Sequence, residues 1–117
     1  MTHFISGHLS LTKDEFDQHY KPHIDKAIRR GDSFVVGDAK GADKMAQEYL
    51  LGKTDNVTVY HMITRPRNNA GFKTKGGYKS DRERDIAMTN NSDNDIAWVR
   101  PGRELSGTQQ NLNRRKK

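Results

Sequence analysis

Three observations predict an α/β fold of Rossmann-like type. Short apolar runs at residues 3–6, 33–36, 57–60 and 95–99 alternate with segments of helical periodicity. The second run is too short and too continuously apolar for a half-exposed strand, which suits a parallel sheet covered on both faces. Glycine or basic residues follow each run: Gly7-His8, Gly37 to Asp43, the stretch from residue 62 to 78, and residues 100–108. The expectation is a three-layer fold around a mostly parallel sheet of about four strands, joined by right-handed crossovers.

Each element has its own signal. Thr12-Lys13-Asp14-Glu15 has the form of a capping box, in which two side chains satisfy the first backbone donors of a helix. Phe16, Tyr20, Ile24, Ala27 and Ile28 then mark one helix face, which Pro22 either kinks or divides, and Gly31 ends it. Residues 42–51 are helical, with Met45, Ala46, Tyr49 and Leu50 on the inner face and Gly52 as the stop. Residues 62–78 carry no periodicity and contain Pro66, Gly71, Gly76 and Gly77, so they read as a long loop, a kind that in small domains is usually functional. Ser80 is an N-cap for a helix to about Thr89, with Ile86, Ala87 and Met88 available for packing. The fourth strand holds Trp98 as a core residue, and Gly107 or Thr108 to Arg115 forms a last short helix.

With 117 residues the chain is the size of one domain, and its apolar and aromatic share of 32% implies a small core that a bound ligand or a second copy could supplement. The absence of cysteine excludes disulfides, thiolate metal sites and cysteine nucleophiles. His19 and His23 are four apart but lack the glutamate of a His-Glu-x-x-His frame, so no metal is expected, and no cofactor either. The start has no basic leader and no apolar run reaches membrane-spanning length, which predicts a cytoplasmic protein without a membrane partner.

The net charge of +6 is unevenly spread. Arg65, Arg67, Lys73 and Lys75 lie in the 62–78 stretch without an acid, and Arg114 to Lys117 end the chain, so the remainder has two more acids than bases. Such confinement suits a compact anion at the loop, and leaves the tail free to touch nucleic acid.

Ligands of open parallel sheets bind beyond the carboxyl ends of the strands. In "GDAKGAD" the glycines allow close backbone approach and the helix start offers free N–H groups, so Gly37, Lys40 and Gly41 are candidates for a phosphate or sugar. The spacing matches neither Gly-x-Gly-x-x-Gly nor a Walker A loop, and a capped turn in which Asp43 serves the helix is the plainer reading. Asp38 would repel a phosphate and suits a ribose hydroxyl or base amine. Ser106, Gly107 and Thr108 can bind an anion or simply cap the last helix. Gly7 and His8 sit where a ligand would pass, Arg82 or Arg84 can meet a phosphate, and Arg65, Arg67, Lys73 and Lys75 can close over one as a lid.

"FISGH", "VVGDAKGADKMAQEYL", "DRERDIAMTNNSDNDIAWV" and "SGTQQNLNRR" together resemble the SLOG superfamily of DprA-like and LOG-like Rossmannoid proteins. The likeness is to its small single-domain members, which carry a strand, Gly-Gly-Ala-x-Gly-Ala-Asp and a helix. It implies one nucleotide-binding domain over residues 1–112, followed by a basic tail over 113–117. LOG proteins cleave the N-glycosidic bond of nucleoside monophosphates with a Pro-Gly-Gly-x-Gly-Thr-x-x-Glu signature. Asn111 stands where that glutamate would be, and an amide supplies no charge to an oxocarbenium-like transition state. The expected function is therefore binding of a nucleotide or nucleotide-derived molecule, as a sensor or sequestering protein. An N-glycosidase using Asp38 or Asp43 as its carboxylate is one alternative, and a nucleic-acid accessory protein using the basic tail is the other.

Overall fold

The computed structural model describes residues 1–62, 65–103 and 106–115. The chain runs β1 (Thr2–Ile5), α1 (Lys13–His19), α2 (Lys21–Arg29), β2 (Ser33–Gly37), α3 (Ala42–Leu50), β3 (Val57–Met62), β4 (Lys73–Tyr78), α4 (Asp81–Asn90), β5 (Asn94–Ile96) and α5 (Gly107–Arg115). The five strands form one all-parallel sheet in the order β4-β3-β2-β1-β5. This is the expected Rossmann-like three-layer α/β fold, with one more strand than the apolar runs suggested.

Alternate residues of the strands feed two cores. Ile5, Phe34, Val36, Val57, Val59 and Ile96 pack against Phe16, Tyr20 and Ile24 of the first helical pair and Ala42, Ala46 and Leu50 of α3. On the other face Phe4, Val35 and Tyr60 meet Met88 of α4, and α5 lies against α4 and β5. The capping box at Thr12 and Glu15 is formed, and Pro22 divides the first helix into two, standing in the first turn of α2 where its missing N–H costs nothing. Tyr20, fully buried, donates its hydroxyl to the Ser6 carbonyl at 2.8 Å and accepts the Trp98 N–H at 3.1 Å, which fixes the chain leaving β1.

Three expectations need correction. The 62–78 stretch is not all loop: Met62 completes β3 and residues 73–78 form β4, carrying Lys73 and Lys75. The sequence "KTKGGY" shows no apolar alternation because the strand is exposed along most of its length and is held by backbone pairing to β3. The last strand ends at Ile96, so Trp98 lies beyond it, where it still packs half-buried against the main core and stacks on His19 with centroids 4.1 Å apart. On α4 Met88 is buried and Ala87 packs partly buried against the same cluster, as expected, while the polar Arg84 and Thr89 are buried beside them. The basic tail also divides: Arg114 and Arg115 belong to α5, and Lys116 and Lys117 lie outside the described residues. No described helix is long and apolar enough to cross a membrane.

Gly41 opens α3 with φ +74, and a Cβ there would run into the carbonyl groups of His8 and Leu9. Gly31 has a similar φ of +75 but nothing within 4 Å of that position. Gly41→Ala should therefore cost about 2 kcal/mol or more, strain plus collision, whereas Gly31→Ala should cost only the strain, about 1 kcal/mol. Urea unfolding of both variants checks the difference, and equal losses would contradict the close approach of the two loops.

Candidate functional site

The connections after β1 and β2 lead to helices on one face of the sheet, and α4 and α5 cover the other. β1, whose neighbours are β2 and β5, is therefore the point at which the topology reverses. A cavity of about 280 Å³ opens there, as expected for an open parallel sheet. Ser6, Gly7, His8 and Leu9 come from the turn after β1, Ala39 and Asp43 from the start of α3, and Asp81, Arg84, Asp85 and Met88 from α4. Arg67 and Arg103 contribute from loops, and Ser106, Gly107, Thr108 and Asn111 from the start of α5.

A buried arginine organises the polar wall. Arg84 donates Nη1 to Asp38 Oδ1 at 2.6 Å and lies 3.3 Å from Asp81, while its Nε and Nη2 reach Asp85 Oδ1 at 3.3 and 3.2 Å. The Arg67 backbone N–H and Nε donate to Asp38 Oδ2 at 2.8 and 3.2 Å, and Nη2 reaches Asp38 Oδ1 at 2.9 Å and Asp81 at 2.8 Å. Burial opposes ionisation of Asp38, but the Arg67 hydrogen bonds and both guanidinium charges outweigh it and hold the carboxyl below its usual range. Asp38 is only 1% exposed and is committed to these two arginines.

Asp43 and Asp85 are different. Burial pushes the Asp43 carboxyl up to about 7 against the pull of Arg84, and also raises Asp85 above the usual carboxylate range. Asp43 accepts the Ala39 N–H at 3.2 Å, and a Cβ at Gly37 would come within 2.5 Å of its Oδ2, so glycine is what lets the carboxyl lie against the end of β2. Asp85 Oδ2 accepts from Asn111 Nδ2 at 3.3 Å, and the amide oxygen of Asn111 accepts from Arg114 at 2.7 Å. On the opposite wall, His8 Nε2 accepts the Arg100 N–H at 2.8 Å, and burial followed by the charges of Arg100 and Arg103 lowers its basicity. The neutral ring then carries its proton on Nδ1, a donor with no partner among the described residues. The buried Ser6 Oγ also lacks a described partner.

Of the residues singled out in the sequence, the structure brings Gly7, His8, Asp43, Arg67, Arg84, Ser106, Gly107, Thr108 and Asn111 to the cavity. Ser106 Oγ also accepts the Gln109 N–H at 3.3 Å, so it caps α5 as well as lining the wall. Gly37, Asp38, Lys40 and Gly41 are not among the lining residues, and Arg82 is exposed on α4. Arg65, Lys73 and Lys75 are exposed elsewhere, and residues 67–70 are fastened to Asp38 and to Gln47, which contacts the Asn68 carbonyl and the Ala70 N–H. Sequence reasoning missed Asp81, Asp85 and Arg103 as cavity residues, and missed Gln47 as the anchor of this segment. The four-residue spacing of Arg84 and Met88 was the usable signal for the inward face of α4.

The fold and this cavity define an α/β protein with a polar site at the carboxyl edge of a parallel sheet. Compared with known families, curated proteins and solved structures, the chain gives no match.

Asp43 titrates near 7 in the fold and near 3.9 in an unfolded chain. Between these values the folded protein keeps a proton that the unfolded chain releases, so this side chain's contribution to stability falls as pH rises and levels off above about 7. Asp43→Asn removes that slope. In urea unfolding between about pH 4.5 and pH 8.5, the variant should gain on wild type by on the order of 2–4 kcal/mol and then plateau; parallel pH profiles would contradict it.

Proposed function

We propose that this protein binds a nucleotide or nucleotide-derived ligand in the cavity beyond β1, as a sensor or sequestering protein. The supporting observation is the pair of cavity carboxyls, Asp43 and Asp85, facing a site that also contains the start of α5. Asp43, with its proton affinity raised toward neutrality, can donate to or accept from a ribose hydroxyl, and Asp85 can accept from the neighbouring one. The His8 Nδ1 donor and the Ser6 hydroxyl add directional groups. For an anionic end, the free N–H groups opening α5 combine with Arg103, which has no ion-pair partner among the described residues. Arg84 and Arg67 are already engaged by carboxylates and serve the wall more than the ligand. The volume, just below the usual range of roughly 300–1,000 Å³ for small-molecule sites, suits a nucleoside-sized body whose charged end reaches the rim.

A second reading, N-glycosidase, is favoured by Asp43 alone. A carboxyl titrating near neutrality can hold or release a proton as the base departs, while Asp85 supports positive charge on the sugar and water takes the anomeric carbon. It replaces the missing glutamate at Asn111 with carboxylates from α3 and α4.

Thermal unfolding with nucleoside monophosphates, nucleosides and ADP-ribose tests the binding reading, because a ligand of the native state raises apparent stability by about 2.7 kcal/mol at a hundred times its Kd. Trp98, the chain's one tryptophan, lies edge-on to His8 with centroids 6.1 Å apart and gives an independent fluorescence signal. The expected result is stabilisation by at least one ribose-containing compound, weakened about tenfold, or about 1.4 kcal/mol, in Asp85→Ala. No response from any compound would overturn the reading. Chromatography of the same mixtures for free base decides between binding alone and hydrolysis.

A further inference from the structure

β4 is an edge strand, paired to β3 on one side with no described strand on the other, and Lys73 to Gly77 are exposed along it. The register sets Lys73 beside Thr58 and Lys75 beside Tyr60, so both lysines share the face of the sheet that carries Tyr60. Lys79 and Arg82, also exposed, follow where the chain turns into α4, and Arg65, exposed too, comes three residues after β3 in the chain. Among the described residues none of these five cations is in an ion pair. The acids nearby are largely spent: Asp81 is held by Arg67 and Arg84, and Asp85 by Arg84, which leaves Glu83. Within the strip Tyr78 packs against the cluster of Phe4, Val35 and Met88 yet stays partly exposed, stacking on Tyr60 with centroids 5.9 Å apart, and Lys75 Nζ lies 5.7 Å from the Tyr60 ring.

One or two lysines protect an open sheet edge from pairing with another strand. Three unpaired cations within seven residues beside an aromatic pair, with Arg65 and Arg82 close by along the chain, exceed that need. We propose that this edge is a binding surface for single-stranded nucleic acid, with Lys73, Lys75, Lys79, Arg65 and Arg82 on backbone phosphates and Tyr78 offering a face for a base. Row-like cations engage a polyanionic backbone, and an accessible aromatic ring rewards unpaired bases, which a duplex keeps within its own stack. An anionic membrane would draw on exposed apolar side chains, and among the described residues the large ones, Met1, Leu9 and Leu51, belong to other parts of the chain. The arginines of the tail are otherwise engaged: Arg115 pairs with Asp95 and the carbonyls of Thr89 and Ser92, and Arg114 with Asn111. The surface does not depend on the cavity, so mononucleotide binding can fail while this interaction stands, and the reverse.

The test is fluorescence anisotropy of a labelled oligothymidylate of about 20 nucleotides. The charge-matched pair Lys26→Glu/Arg29→Glu, on the exposed side of α2, is the control for Lys73→Glu/Lys75→Glu, with circular dichroism confirming that both variants fold. Wild type should bind at about 50 mM salt and weaken about a hundredfold by about 200 mM, as expected for roughly five phosphate contacts. Lys73→Glu/Lys75→Glu should lose about tenfold or more at low salt and reduce the salt slope by roughly 1.4, while the α2 pair binds as wild type does. Tyr78→Ala should weaken single-strand binding without changing that slope. Absence of binding at low salt, equal losses in both charge-reversed pairs, a matched duplex binding as tightly as the single strand, or a preference for phosphatidylserine vesicles would each overturn the proposal.

Discussion

The buried pairing of Arg84 with Asp38 is the constraint on which the site depends. Removing two such charges from water costs several kcal/mol each, and only close, well-directed contacts offset that cost. Asp38 supplies them at the end of β2 by receiving Arg84 on one oxygen and Arg67 on both, and the Arg67 N–H adds a further bond. One carboxylate thus joins a strand, a helix on the other face of the sheet and a loop that Gln47, Asp81 and the Asp38 carbonyl also hold. Its engagement also divides labour among the acids. Asp38 is structural, while Asp43 and Asp85, left with weaker compensation for their burial, remain the chemically adaptable groups of the cavity.

The sheet was legible where burial writes a pattern into the chain. Residues 34–36 are covered on both faces and are correspondingly apolar, and the capping box at Thr12 declares a helix start by local hydrogen bonding alone. β4 was illegible for the opposite reason: an exposed edge strand buries almost nothing, so its lysines and glycines carry no alternation, and only pairing with β3 makes it a strand. The site shows the same division. A glycine just after the first strand and glycine and hydroxyl residues at a helix start pointed to Gly7, Ser106, Gly107 and Thr108, which reach the cavity. Charged residues could not be sorted this way, because which of Arg82 and Arg84 turns inward depends on the rotation of α4 against the sheet, a tertiary property. Asp38 was read as a ligand group for lack of any local sign that two distant arginines would claim it.

Charge has been distributed with the same economy. The cations near the cavity are mostly neutralised by carboxylates, which keeps the site from being a general anion trap and lets hydrogen-bonding geometry govern what fits. Cations along β4 stay unpaired and exposed, and make a field at the edge of the sheet. Arg115 takes a third role, bonding carbonyls at the end of α4 while paired with Asp95, so α5 is held where its first turn borders the cavity.

Residue-resolved amide NMR during titration with adenosine, guanosine, cytidine and uridine monophosphates tests the central claim most directly, because it reports where a ligand sits. The account predicts that the signals of Gly7, His8, Asp43, Thr108 and Asn111 move together and saturate with at least one of them, while those of α2 stay still. Shifts confined to α1, α2 or β4, or no shifts with any of the four compounds, would contradict the assignment of the cavity as the ligand site.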